Sequence, residues 1–320
     1  MRNIAVLTSG GDAPGMNACL RAVVRKALYE GYNVYGVRNG YRGLVDGDYT
    51  LMNRKSVAEK LNRGGTFLGS ARLPEFKEVE VREKAIAHMK KYDIDTLIAI
   101  GGDGTYQGAA ALSKMGINVI ALPGTIDNDI TTTDYTIGFD TALNTIVENI
   151  DKLRDTSSSH NRCTIVEVMG RRCPDLAVHS GLATGAEYII THESGFSEDK
   201  IIKSLNTALK NNKRHALVII TEHVTDTLEL AKRIEKRVGI ESRATILGHI
   251  QRGGTPTAFD RVLASRMGHF AVELLNNNVN NKSINIKDNK LVGIDIDETV
   301  ELNKDSNSSM DIHIVSNELR

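Results

Sequence analysis

Asn118-Val119-Ile120-Ala121-Leu122-Pro123-Gly124-Thr125-Ile126-Asp127-Asn128-Asp129 joins a short apolar run to a polar turn that carries two carboxylates. An apolar run ended by Pro-Gly predicts a buried parallel strand over 118–122, delivering a loop at its carboxyl end, where open α/β sheets hold ligands. If that loop is locally extended, residues two apart point the same way, so Asp127 and Asp129 face one cleft beside Thr125. One carboxylate can then take a proton while its neighbour sets its pKa or approaches a metal. The same residues also suit an acidic turn closed by Asx hydrogen bonds, and the stretch alone leaves both readings open.

Twenty residues earlier, Thr96-Leu97-Ile98-Ala99-Ile100 empties into Gly101-Gly102-Asp103-Gly104-Thr105 ahead of a helical pattern around Ala109 to Leu112. Glycines between a strand and a helix let backbone amides approach phosphate oxygens, and the helix N-terminus adds favourable partial charge. Asp103 is the obvious magnesium ligand there. A third junction opens the chain: strand Ile4–Thr8, then Ser9-Gly10-Gly11-Asp12-Ala13-Pro14-Gly15, then a helix from Met16 to Tyr29 stopped by Gly31. This turn suits a phosphate chain passing close to Gly11, or a turn that needs glycine for backbone geometry alone. It is not the dinucleotide fingerprint, since its spacing differs from G-x-G-x-x-G and no acidic residue closes the next strand, Asn33–Val37. No G-x-x-x-x-G-K-[ST] loop occurs, which argues against a P-loop NTPase.

Residues 38–48 read as a Gly/Tyr-rich loop in which Tyr41 either lies against a base or simply packs, and 64–72 is too glycine-rich for a helix. Val79–Lys91 reads as an amphipathic helix. After the central loop a helix runs from the Gly138 turn to about Arg154, and strand–helix alternation restarts: strand 163–168, helix 176–183, strand 187–190, helix 198–209, strand 216–220, helix 226–238, strand 244–247. Such alternation predicts a second doubly wound parallel sheet and a boundary near residue 138. Its strand ends are polar: Met169-Gly170-Arg171-Arg172, Thr221-Glu222 and Gly248-His249-Ile250-Gln251-Arg252-Gly253-Gly254. Arginines at the mouths of parallel strands match a sugar phosphate, whose hydroxyls take Glu or His. A long helix over 261–275 and a small hairpin, 283–286 with 291–294, follow.

The 320 residues suffice for two domains of ordinary size. The 40 basic residues balance 40 acidic ones, so nothing in the overall charge argues for nucleic acid or an anionic membrane. Cys19, Cys163 and Cys173 are an odd number without metal-ligand spacing, which suits reduced thiols of a cytoplasmic protein. No signal-peptide pattern opens the chain and no apolar run approaches membrane-spanning length. Arg21 and Arg25 share a helix face, while Arg54, Arg154, Lys213, Arg214 and His215 are scattered basic residues whose default is solvated surface.

Five motifs in order and spacing, 10–17, 101–105, 123–129, 169–171 and 247–254, resemble the bacterial ATP-dependent 6-phosphofructokinases, and the likeness covers nearly the whole chain. The resemblance implies a three-layer α/β/α fold of two Rossmann-like, mostly parallel sheet domains. Residues 1–138 with about 252–303 would form the larger, ATP-binding domain, and 139–251 with about 304–320 the smaller, fructose 6-phosphate domain. It implies that Gly11, Tyr41, Arg72, Leu73, Gly102, Asp103, Gly104 and Thr105 hold ATP, with Gly108 near the adenosine and Asp103 binding Mg2+. Fructose 6-phosphate would meet Thr125, Ile126, Asp127, Met169, Gly170, Arg171, Glu222, His249, Ile250, Gln251 and Arg252, with Arg162 and Arg243 reaching in from a neighbouring subunit of a homotetramer. Asp127 would be the base for the sugar 1-hydroxyl, Arg171 and Arg72 would steady charge on the phosphoryl group, and Asp129 would support the metal end.

The resemblance also gathers the basic residues into an effector pocket for ADP and phosphoenolpyruvate: Arg21, Arg25, Arg54, Arg154, Gly185, Glu187, Asn211, Lys213, Arg214 and His215. Asn211 stands where relatives commonly carry a basic residue, and Ala58 offers no hydroxyl there. Pyrophosphate-using relatives typically carry Asp at the position of Gly104 and Lys at that of Gly124, so two glycines imply ATP as donor. The NAD kinase and diacylglycerol kinase group shares a Gly-Gly-Asp-Gly-Thr turn but leaves the second sheet and its arginines unexplained. A non-catalytic nucleotide sensor on the same fold is opposed by the presence of Asp103, Asp127 and Arg171.

Overall fold

The computed structural model describes residues 2–171, 173–302 and 310–318. Arg172 and most of the stretch at the expected 303/304 boundary lie outside the described residues. The chain forms two compact units. One takes the chain up to Thr141 and again from Arg252 to the helix ending at Leu302; the other takes Ala142–Gln251 and the helix Met310–Glu318.

The first unit is built on one sheet whose strands run in the order Lys290–Asp295, Lys282–Lys287, Asn118–Thr125, Ile94–Gly101, Asn3–Thr8, Asn33–Val37 and Tyr49–Met52. The central strands are parallel, and their continuous Val, Ile, Leu and Ala runs are what a sheet covered on both faces requires. Ile4, Val6, Ile98, Ile100, Ile120 and Leu122 are fully buried. The two ends are antiparallel additions. Val34 to Val37 pair with Met52 to Tyr49, a strand that sequence patterning missed because Tyr-Thr-Leu-Met is short and sits on an edge. The 38–48 stretch is also a correction: Tyr41–Asp46 is a short helix, closed by Gly47 in the left-handed conformation.

Adjacent strands Asn3–Thr8 and Ile94–Gly101 send their following helices to opposite sides, one toward Asn33–Val37 and the other toward Asn118–Thr125. Their carboxyl ends therefore flank the topological switch point, the crevice where open α/β sheets take ligands.

The second unit holds a four-stranded, wholly parallel sheet in the order Ser242–Ile246, Cys163–Val168, Ala216–Thr221, Tyr188–Ile190. Ile165, Val218 and Ile220 pack with Ile201, Leu205, Leu230 and Ile234 from the helices Glu198–Lys210 and Thr227–Val238. Asp226 caps the latter helix by accepting from the Glu229 amide at 2.9 Å. The helix expected to end near Arg154 instead runs from Phe139 to His160, because Thr156 to Ser159 extend it without a Gly or Pro stop. Among the described residues no helix is long and apolar enough to cross a membrane.

Within the first unit, a buried carboxylate ties the return segment to the turn before that helix. Asp260 is fully buried and accepts from the Gly138 amide at 2.9 Å, the Thr141 amide at 2.9 Å and the Thr141 hydroxyl at 2.5 Å. The helix expected from 261 begins at Ala258, after the start signature Thr257-Ala258-Phe259-Asp260 that the sequence reading passed over, and Thr257 accepts from the Asp260 amide at 3.3 Å. Burial pushes the Asp260 carboxyl up to about 6, against the lowering effect of those three donors, and the charge of Asp140 adds to the rise. A carboxyl whose folded pKa exceeds its unfolded one binds more protons when folded, so stability falls as pH rises from about 4 to about 6 and is flat above. Asp260→Asn should remove this slope: the wild-type-minus-variant difference in unfolding free energy should shrink by on the order of 2–3 kcal/mol across that window. Urea titrations at pH 4 and pH 7 measure it, and parallel curves for the two proteins would refute the assignment.

Candidate active site

The switch-point turns of the first unit are held by their own backbone and hydroxyl groups. The Ser9 amide donates to the Ile100 carbonyl at 3.0 Å, and the Ser70 hydroxyl donates to the Gly10 carbonyl at 2.5 Å. Gly102 precedes the helix Asp103–Ser113, so Asp103 and the amides that follow stand at a helix N-terminus, where anions are favoured. Asp103 is partly exposed and its Oδ2 accepts from Gln107 Nε2 at 2.7 Å, which orients the carboxylate. Gly104 is exposed, and a Cβ built on it would meet nothing within 4 Å. Arg72 is exposed and Leu73 half-buried at the start of the turn Pro74–Lys77.

Tyr41 is a packing residue in this unit. It is 5 % exposed, stacks on Phe76 with ring centroids 4.3 Å apart, and donates to the Thr105 carbonyl at 2.6 Å. A Cβ on Gly108 would fall 2.6 Å from its ring. Tyr41 thus holds the first turn of the Asp103 helix from behind, and Gly108 is glycine because that ring fills its side. Burial pushes the Tyr41 phenol far above its ordinary pKa, so it is a neutral donor.

The strand expected to end at Leu122 continues through Thr125, since Pro123 and Gly124 stay in register with Gly101 and with the short strand Ile137–Gly138. Thr125 and Asp127 are buried, and the Asp127 amide donates to the Thr125 hydroxyl at 3.2 Å. Thr136 closes the turn by donating to the Thr125 carbonyl at 2.7 Å, and its amide donates to Asn128 Oδ1 at 2.9 Å. Asn128 has φ +54°, so the chain between Asp127 and Asp129 is left-handed and not extended. The period-two argument for two carboxylates facing one way therefore does not apply. What the fold does bring side by side is the Gly102 backbone and Thr125: a Cβ on Gly102 would lie 3.5 Å from Thr125 Cβ. Ile126, named among substrate residues, is fully buried in the core.

In the second unit, Met169, Gly170, Arg171 and Glu222 sit at the carboxyl ends of neighbouring strands. The Glu222 amide donates to the Val168 carbonyl at 2.8 Å, and the Glu222 side chain accepts from the Arg171 amide at 3.1 Å. Gly170 at φ +132° and Arg171 at φ +51° make the turn that carries the arginine out. Gln251 is 0 % exposed; its Oε1 accepts from the Met169 amide at 3.1 Å and its Nε2 donates to the Gly248 carbonyl at 2.9 Å. It supports the turn from inside, whereas His249 and Ile250 are exposed. Arg162 and Arg243 share one carboxylate, Glu241, at 2.7 and 2.5 Å, and the Arg162 hydrogen bond leads the lowering of the Glu241 pKa.

The model of one family, phosphofructokinase, matches residues 3–275. The ATP-dependent 6-phosphofructokinase of Teredinibacter turnerae is 58 % identical over 301 residues, 94 % of each chain. That of Aliivibrio fischeri is 55 % identical over 319 residues, spanning 100 % of this chain and 99 % of its own. The chain belongs to the phosphofructokinase family. Its fold is that of the family too: the Pichia pastoris phosphofructokinase structure superposes with a TM-score of 0.90 at 36 % identity over 95 % of this chain. This chain spans 38 % of that much longer one. A pyrophosphate-dependent phosphofructokinase from Marinobacter aquaeolei, 21 % identical over 93 % of this chain and 84 % of its own, shares the fold at a TM-score of 0.84.

The residues expected to form an effector pocket divide between the units. Arg21, Arg25 and Arg54 are in the first; burial, followed by the charge of Arg25, lowers the Arg21 pKa. In the second, Arg154 donates to the Thr184 carbonyl beside Gly185, and Glu187 accepts from Lys213 Nζ at 2.7 Å and the Leu217 amide at 2.6 Å. Asn211 caps the helix Glu198–Lys210, while Arg214 is exposed and His215 half-buried. Asn17, the last residue of the motif 10–17, was given no role from the sequence: its Nδ2 donates to the Arg63 and Gly64 carbonyls at 3.0 and 3.1 Å, and its Oδ1 accepts from the Phe67 amide at 2.9 Å. A polar residue on the apolar face of a helix was the available signal.

Proposed function

We infer that this chain transfers the γ-phosphoryl group of ATP to the 1-hydroxyl of fructose 6-phosphate, giving fructose 1,6-bisphosphate and ADP. The observation that carries the reading is a pair of neighbouring strand-end turns, the glycine turn opening the Asp103 helix beside the Thr125-to-Asp127 turn, in a chain over half identical to ATP-dependent 6-phosphofructokinases. Phosphoryl transfer needs positioning and charge stabilisation more than covalent catalysis, and these turns supply both.

In this reading the first unit holds ATP. The Gly102-to-Thr105 amides receive phosphate oxygens, Arg72 and Leu73 flank the nucleotide, and Tyr41 acts indirectly through the Thr105 carbonyl. Asp103 fits Mg2+, which takes one or two carboxylates together with substrate phosphates and keeps its remaining waters. When bound, the ion neutralises phosphate charge; Asp129 supports that end. Asp127 removes the proton of the 1-hydroxyl, with Thr125 beside it. Arg171 steadies phosphoryl charge, while Met169, Gly170, Glu222, His249 and Arg252 engage the sugar phosphate. Gln251 and Ile126 contribute from within the turns, and the exposed Ile250 is free to meet the sugar phosphate. Arg162 and Arg243 serve the site of a neighbouring subunit in a homotetramer, preset by their shared Glu241. The buried thiols of Cys19, Cys163 and Cys173 suit the cytoplasm.

A coupled assay of ADP release with fructose 6-phosphate tests the reading; repeated with pyrophosphate, it tests the donor. Fructose 6-phosphate-independent ATP turnover, or none at all, would refute it. Regulation by ADP and phosphoenolpyruvate rests on Arg21 and Arg25 sharing one helix face and on the basic run Lys213, Arg214 and His215. A charge-assisted contact to phosphate is worth roughly 1.5–3 kcal/mol, so Arg25→Ala should weaken an effector by about one to two orders of magnitude. Initial rates at sub-saturating fructose 6-phosphate, titrated with each effector, measure it; an unmodified chain that responds to neither returns the cluster to solvated surface.

A further inference from the structure

Gly11 reads in sequence as a glycine that lets donor phosphates approach, but the space beside it in the folded first unit belongs to an arginine. A Cβ on Gly11 would lie 2.2 Å from Arg252 Nη1 and 2.9 Å from its Cζ. Gly11 does not have a positive φ, so backbone conformation does not demand glycine there; space does. Arg252 Nη1 also donates to the Asp12 carbonyl at 3.4 Å. Among the described residues this is the one hydrogen bond of a guanidinium with five N–H donors, so most of its donor capacity is unspent within the fold. The segment after Arg252 is seated the same way: a Cβ on Gly64 would fall 2.2 Å from the Gly254 carbonyl. Asn17 in turn fixes the Arg63 and Gly64 carbonyls. The return segment thus lies on two side-chain-free positions of the first unit, one of which sets where the guanidinium stands.

We propose that Gly11, with the Asp12 carbonyl, is a positioning residue for the acceptor: it parks Arg252 where its unspent donors meet the phosphate of fructose 6-phosphate. This rests on the function inferred above and adds to it that a residue of the nucleotide turn governs sugar-phosphate affinity before any nucleotide arrives. The clashing atoms are the far end of a flexible side chain, so Gly11→Ala displaces the guanidinium while leaving the backbone in place.

The test is calorimetric binding of fructose 6-phosphate alone to the full-length chain and to Gly11→Ala, Arg252→Ala and the double variant, with KM for both substrates measured in parallel. Each single variant should weaken fructose 6-phosphate by about tenfold or more, the worth of a charge-assisted phosphate contact. The double variant should be no weaker than the worse single one, because both remove the same interaction. Gly11→Ala should raise KM for fructose 6-phosphate more than it lowers kcat. Unchanged fructose 6-phosphate binding with a higher KM for ATP, or losses that multiply in the double variant, would overturn the proposal. Should Gly11→Ala lower the melting temperature, its restoration in the double variant supports the contact and its persistence refutes it. Failure of the unmodified chain to bind fructose 6-phosphate would strike the function itself; normal activity with Gly11→Ala indifferent strikes only the positioning role.

Discussion

Asp127→Asn is expected to lower kcat by about 10²–10⁴, the usual worth of a positioned general base. Asparagine keeps the volume of a side chain that is 3 % exposed. Two contacts that hold the turn survive the substitution: the Asp127 amide on the Thr125 hydroxyl, and Thr136 on the Thr125 carbonyl. The variant should therefore fold and bind fructose 6-phosphate with little change. What it loses is the acceptor for the hydroxyl proton as the oxygen attacks phosphorus, an interaction made in the transition state, so kcat and kcat/KM should fall together. Coupled-assay kinetics with calorimetric sugar-phosphate binding measure both quantities. Turnover at the wild-type level would remove Asp127 from the base position, and a collapse of binding instead of rate would make it a turn residue.

Gly104→Asp should raise KM for ATP by about 10- to 100-fold, because a carboxylate at that site stands among donor phosphates, and like charges a few ångströms apart repel by kcal/mol. The position accepts the substitution sterically. Its Cβ would meet nothing within 4 Å, and aspartate in the first turn of the Asp103–Ser113 helix favours that helix. Fructose 6-phosphate affinity without nucleotide should stay near the parent value, which separates donor repulsion from general damage. Gly124 is no equivalent probe: its Cβ would press on Ile100 Cγ2 at 3.0 Å and Met16 Cε at 3.1 Å. The resemblance read the two glycines alike as a mark of ATP use, whereas in the fold one opens to solvent and the other is a core contact. Equal ATP kinetics in Gly104→Asp and its parent would remove Gly104 from the donor-phosphate site.

Much of the architecture was legible in the chain. Parallel strands buried on both faces need nearly continuous apolar runs, and Ile4–Thr8, Thr96–Ile100 and Ala216–Ile220 are such runs, each ended by the polar residues of a carboxyl-end turn. Helix stops and starts at Gly31, Gly239 and Asp226 follow local rules that act within one turn. The glycine turns, Asp103 and Asp127 stood out for the same reason: their chemistry is written in adjacent residues.

Tertiary structure decided everything that depends on which distant segments meet. The edge strand Tyr49–Met52 exists because Asn33–Val37 offers it a ladder, not because its own sequence insists. Tyr41 became a prop for Thr105 once Phe76 and Gly108 enclosed it, and Gln251 became a buried brace for Met169. Asn128 broke the expected alignment of Asp127 and Asp129 by taking a left-handed conformation that Thr136 and Asp134 hold across the loop. Glycine shows the division most plainly. The chain says where side chains are missing, but only the fold says what fills the space: a ring at Gly108, an arginine at Gly11, and nothing at Gly104. Local rules act over a few residues of backbone, whereas steric exclusion and hydrogen-bond partnership act between whatever atoms the sheet order brings within contact.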